Sequence, residues 1–169
     1  MSIWYYCKGY KLAQFIRQGF IPSDDINRNV GKNVSSAVVC SIDPGGDQLE
    51  NGRVLEYGEW RELDTDEMAG NFGGLFRLEL SEDSAPLTWN DWVEQSGISR
   101  KEARELYRFV GLDKTSREKL RFSFNPIPSK SLLSISIWKN GGWEKWQGNI
   151  GEGELSAFGI VLDEVIRQK

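Results

Sequence analysis

The chain has 169 residues and a net charge of −4, with seven Trp, two Cys and no His. The missing histidine removes Ser-His-Asp and Cys-His catalysis, His-based zinc sites and the usual general base near neutral pH. The negative balance disfavours broad nucleic-acid binding, which needs a concentrated positive field. The length suits one domain with a core of its own.

In chain order, Ser2 to Cys7 (SIWYYC) is rich in β-formers and opens a sheet. A short helix follows from Tyr10 to Gln18, with Leu12, Phe15 and Ile16 inward and Gly19 as its C-cap. Ser23 to Asn33 is a polar loop. Val34 to Ile42 is the second strand, ended by the turn Asp43-Pro44-Gly45-Gly46. A third, less regular strand spans Val54 to Trp60 with an interruption at Gly58, and Asp64-Thr65 caps a brief helical turn before Gly70.

Leu75 to Leu80 alternates, with Phe76, Leu78 and Leu80 on one face and Arg77 and Glu79 on the other, which is the period of a half-buried strand. Two capped helices then form an insertion over residues 88–111. Thr88 with Asp91 starts the first, and Ser99 with Glu102 makes a capping box for the second. The second helix buries Ala103, Leu106, Tyr107 and Val110 and stops at Gly111. Leu120, Phe122 and Phe124 mark another strand, closed by Pro126 and Pro128. Leu133, Ile135 and Ile137 mark the next, with serines and Trp138 on its opposite face and Trp138 assigned to the core. Asn140-Gly141 is a type I′ signal, so Trp143 to Trp146 pairs back. A glycine-rich hinge (Gly148, Gly151, Gly153) leads to a C-terminal helix with Leu155, Phe158, Leu162, Val165 and Ile166 inward. Without regular β-α alternation, the expectation is a single α+β domain with a mixed, mostly antiparallel sheet.

Cys7 and Cys40 fall mid-strand and read as reduced thiols. No secretion signal and no apolar run of roughly 18 residues is present, so the chain is expected to be cytoplasmic and off the membrane. No metal is expected, because two cysteines without histidine make a poor ligand set and the acids of 56–67 lack EF-hand spacing.

Two stretches carry a resemblance. IWYYCKGYKLAQFIRQGFIPSD resembles the opening of ADP-ribosyltransferase-like proteins, an aromatic strand leading into a helix, and AVVCSIDP resembles their second strand. GGLFRLELSEDSAPLTWNDWVEQSGIS and FSFNPIPSKSLLSISIWKNGGWEKW are similar to an uncharacterised family of phage and mobile-element proteins. The resemblance implies an ADP-ribosyltransferase-like fold and a cleft for a nucleotide such as NAD. Its implied catalytic positions are Tyr6, Ser41, Glu79 and Asn125, with Tyr5, Lys8 and Gly9 toward the cofactor. There are departures. Tyr6 or Cys7 stands where the family has histidine, and Asn125, which cannot act as a base, stands where it has a strand glutamate. A phage or mobile-element accessory protein with a degenerate or atypical cleft is the leading expectation.

Two alternatives come from other classes. The acid run 56–67 (EYGEWRELDTDE), together with exposed tryptophans, suits a non-catalytic protein that blocks a host factor. Arg100, Arg104 and Arg108 recur every four residues on one helix face and suit phosphates or nucleic acid. The plainer account of that row is the solvent side of an amphipathic helix, partnered by Glu102 and Glu105. Trp89 and Trp92 read as core, whereas Trp143 and Trp146 stay open between packing and interface.

Overall fold

The computed structural model describes residues 1–25, 36–44, 53–70, 73–109 and 114–146. Strand β1 (Ile3–Lys8) is central and pairs along its whole length with β7 (Leu75–Leu80), Ile3 opposite Leu80 and Lys8 opposite Leu75. On the far side of β7 lies β10 (Leu132–Lys139), which turns back into β11 (Gly142–Lys145). The turn is the expected one: Asn140 and Gly141 both take positive φ, 53° and 76°. The other edge of β1 meets β4 (Ser36–Ser41) where Trp4 faces Ser41. Strand β4 also carries β8 (Leu120–Ser123) and the short β3 (Asp24–Asp25). The main sheet therefore runs β11-β10-β7-β1-β4, and every pairing among the described residues is antiparallel. The architecture is α+β in one small domain. A two-stranded pair, β2 (Phe20–Ile21) with β9 (Ile127–Pro128), lies apart from the main sheet.

Side chains that alternate along a strand divide a sheet into two faces. On the first face Ile3, Cys7, Phe76, Leu78, Leu80 and Ile135 join Leu12 and Phe15 of α1 (Gly9–Gln18) in one core. Helix α1 stops at Gly19, whose φ of 75° and N–H bond to the Phe15 carbonyl make a left-handed cap. It begins at Gly9, where no other residue fits: a Cβ there would stand 2.2 Å from the carbonyl oxygen of Gly73.

The second face carries a separate core at the β4–β8 end, under α3 (Trp89–Ser96) and α4 (Arg100–Phe109). Trp92 is fully buried there and stacks on Phe122 at 4.9 Å. Both expected caps are present. The Thr88 hydroxyl oxygen accepts from the Asp91 N–H while the Asp91 carboxylate accepts from the Thr88 N–H. Ser99 and Glu102 repeat the exchange, and each carboxylate is held below its usual pKa by those bonds.

Four expectations need correction. The single strand across Val54 to Trp60 is instead a hairpin of β5 (Arg53–Glu56) and β6 (Glu59–Glu62). Gly58 is not an interruption but the second corner of a type I′ turn, with Tyr57 and Gly58 at φ 51° and 83°. Leu133 does not point inward: a bulge between Leu132 and Ser134 turns it out to 60% exposure, and Leu132 packs against the core instead. Trp138 belongs to neither core. It is half-buried on the second face and donates its Nε1–H to Asp66 of α2 (Thr65–Gly70) at 2.7 Å. Helix α5 (Lys114–Lys119) was not anticipated, because KTSREK has no apolar stripe. The side chains of Leu106, Tyr107 and Arg108, together with Val110, Gly111, most of the Ser23 to Asn33 loop, Gly45-Gly46 and the C-terminal helix, lie outside the described residues.

Candidate functional site

The sheet brings Tyr6 and Ser41 onto one face of neighbouring strands. Ser41 faces Trp4, two residues from Tyr6 along β1. Both side chains converge on the residue after β4. The Tyr6 hydroxyl donates to the Asp43 carbonyl at 2.8 Å, and Ser41 Oγ accepts from the Asp43 N–H at 3.0 Å. Each residue is only 3% exposed. Lys119 holds the Asp43 carboxylate at 2.7 Å, and the Arg77 guanidinium donates to the Pro44 carbonyl. These four contacts pin the Asp43-Pro44 turn against the sheet.

Arg77 is the centre of the same face. Its guanidinium carbon lies 4.5 Å from the Trp4 ring centroid and 4.8 Å from that of Trp143, a cation–π arrangement on two indoles. Its Nε has no hydrogen-bond partner among the described residues. Tyr6 completes the cluster with an edge contact to Trp143 at 5.8 Å. Two residues along β7, Glu79 accepts from the Ser134 hydroxyl at 2.7 Å and from the Ser2 hydroxyl at 2.6 Å. Those two bonds, assisted by the Arg77 charge, hold its carboxyl below the usual range against the opposing effect of burial. Glu79 is therefore ionised, with both oxygens engaged.

The remaining expected positions do not join this cluster. Tyr5 and Tyr6 are consecutive on a strand and project to opposite faces, so they cannot line one cleft; Tyr5 packs against the α1 core. Lys8 precedes α1 at the end of β1. Gly9 is buried against the Gly73 backbone and donates its N–H to the Gly74 carbonyl at 2.9 Å, which leaves no open approach for a cofactor. Asn125 is exposed in the turn after β8, where its backbone exchanges bonds with the Ser123 hydroxyl. Since Leu120 pairs with Ser41 and Ser123 with Val38, Asn125 lies beyond the opposite end of β4 from Ser41. Trp4, Arg77 and Trp143 were missed as a unit because their contacts form only when three strands align. The two thiols are buried, and burial pushes Cys40 far above the normal thiol range.

A different surface stands out at the β5–β6 hairpin. Leu55 pairs with Trp60 across the two strands, and Tyr57 forms the tip. Their exposures are 60%, 69% and 103%. The hairpin is held by its other side. Arg61 bonds Glu56 at 2.9 Å and reaches Glu67 of α2 through two nitrogens, at 2.8 and 2.9 Å. The Arg61 pair, with the Asp64 N–H, brings Glu67 down to about 2. Asp64 and Glu67 also form the reciprocal cap of α2. The sequence signal was the Tyr-Gly pair between acids, which is a weaker hairpin mark than Asn-Gly.

A groove opens at the α3–α4 corner, floored by Trp89, Val93, Ile98 and Ala103 and edged by Arg100 and Arg104. Among the described residues no set of His, Cys, Asp or Glu can hold a metal ion, and no helix is long and apolar enough to cross a membrane. No family model, no curated protein and no solved structure matches this chain.

Proposed function

We propose that the chain is a non-catalytic interaction protein that engages a partner protein through the β5–β6 hairpin. One observation carries the reading: Leu55, Tyr57 and Trp60 stand in solvent at 60%, 103% and 69% exposure on a hairpin anchored from behind. Aromatic anchors of this kind dominate protein interfaces, and each contributes about 1.5–3 kcal/mol when fully buried. Type I′ geometry and the Arg61 clasp pre-organise the hairpin, which lowers the entropy lost on binding. The exposed Glu56, Glu59 and Glu62 around them steer it toward a basic surface. Occlusion of a host protein, the accessory role that the sequence resemblance implies, is within the reach of such a module.

The test is a paired capture. The immobilised chain, challenged with a cell extract, should retain a protein that a Tyr57→Ala/Trp60→Ala variant of unchanged circular dichroism does not. Equal retention by both forms removes the hairpin from the interaction and overturns the reading.

A second reading keeps the ADP-ribosyltransferase-like cleft, with NAD as ligand. It draws support from the Arg77 guanidinium on the same face as Tyr6, Ser41 and Glu79. The engagement of those three side chains in internal bonds counts against turnover. NAD should raise the thermal midpoint if it binds the native state, and an unchanged midpoint retires this reading.

A further inference from the structure

We infer that a second copy of this chain is the hairpin's partner, and that the hairpin docks in the α3–α4 groove of that copy. The inference rests on the interaction-protein reading and supplies its partner. The hairpin offers Leu55, Tyr57 and Trp60 ringed by exposed glutamates, Glu56 and Glu59 among them. The groove offers the complement. Its floor is apolar and aromatic, its edge carries the exposed Arg100 and Arg104, and its volume is about 640 Å³. That volume falls within the range of about 300–1,000 Å³ typical of sites that admit side-chain-sized apolar groups.

The two surfaces cannot meet within one copy. The hairpin is tied by Arg61 to Glu67 of α2, and α2 is tied by Asp66 to Trp138 of β10. The groove lies on α3, which packs through Trp92 onto Phe122 of β8. From β10 to β8 the sheet passes through β7, β1 and β4, four spacings or about 19 Å. Each copy thus presents one hairpin and one groove in fixed, separated positions. Two copies related by a two-fold axis satisfy both contacts, and a non-closing arrangement links copies head to tail. Carboxylates facing arginines across the rim make the association sensitive to salt.

Light scattering coupled to size exclusion, over a wide concentration range at low salt, reads the outcome. The mass should rise from 19.2 kDa to twice that value, or continue upward for an open chain, and fall back at high salt. Arg100→Glu/Arg104→Glu, both at exposed helix positions, should weaken association by about tenfold or more. Glu59→Lys/Trp60→Ala should do the same. An equimolar mixture of the two variants should recover a pair, because one retains the hairpin and the other the groove. A monomer at every concentration overturns the inference, as does association that both variants leave unchanged. A monomer that still shows hairpin-dependent capture of another protein overturns this inference alone. A monomer without such capture overturns the interaction-protein reading as well.

Discussion

The second face of the sheet and the β5–β6 hairpin are opposites in how they use their side chains. Around Asp43 the residues that look catalytic, Tyr6, Ser41 and Arg77, are turned inward to hold a turn. On the hairpin the residues that look like an ordinary solvated acid run are built so that Leu55, Tyr57 and Trp60 face water. Polar groups on adjacent strands find each other and are satisfied internally, because an unsatisfied buried donor costs about 1–3 kcal/mol. Apolar groups on an isolated two-stranded element have no third layer to cover them, and a lone hairpin cannot bury both its faces. Chemistry-bearing residue types are thus poor guides to function here. Exposed apolar ones are better.

The comparison can be broken most severely at Gly9. Gly9→Ala places a methyl 2.2 Å from the Gly73 carbonyl oxygen, a backbone clash that no rotamer relieves. The expected loss is about 3 kcal/mol or more, read as a lowered urea midpoint. A stability within about 0.5 kcal/mol of wild type means that the α1–β7 junction yields more readily than its packing implies.

Tyr6→Phe sharpens the contrast at lower cost. It removes one hydrogen bond to the Asp43 carbonyl and keeps the ring on Trp143. The expected destabilisation is about 1 kcal/mol, without any change in hairpin-dependent capture. A loss of capture at unchanged stability would return Tyr6 to a functional role.

Glu79 gives a dependence on pH. Its folded pKa lies below the ordinary value of 4.5 because Ser134 and Ser2 donate to the carboxylate. The group therefore contributes stability that is fully present above about 4.5 and is lost as the pH falls through its lower folded value. Glu79→Gln should lower stability at neutral pH and flatten the acid limb of the stability profile. Parallel acid limbs in wild type and variant remove Glu79 from that role.

The smallest effect is expected on the hairpin. Tyr57→Ala and Trp60→Ala, at 103% and 69% exposure, should each change stability by less than about 0.5 kcal/mol while abolishing capture. A drop comparable to that of Tyr6→Phe assigns the hairpin a packing role instead.

Much of the local structure was legible from residue order alone. The caps at Thr88 and Ser99, the left-handed stop at Gly19, the alternation of Leu75 to Leu80 and the Asn140-Gly141 turn all rest on bonds or dihedrals spanning a few residues. Such features are set by near neighbours, and near neighbours are visible in a string. The errors have equally local causes. Tyr57-Gly58 hides a turn because a non-glycine corner at positive φ is uncommon. Leu133 is displaced by a bulge that leaves the hydrophobic pattern intact. Helix α5 lacks any periodic signal.

What the candidate site contains was decided elsewhere. That Tyr5 and Tyr6 part company, that Arg77 meets two indoles from other strands, and that Asn125 ends up beyond the wrong end of β4 all follow from strand order and register. By itself the sequence determined the α+β class, the caps and most of the turns of this protein. Only the tertiary structure decided which polar groups are already satisfied and which apolar ones are left in water. The reason is that hydrogen-bond satisfaction and burial depend on partners distant in sequence, and a one-residue change of register moves every side chain of a strand to the other face.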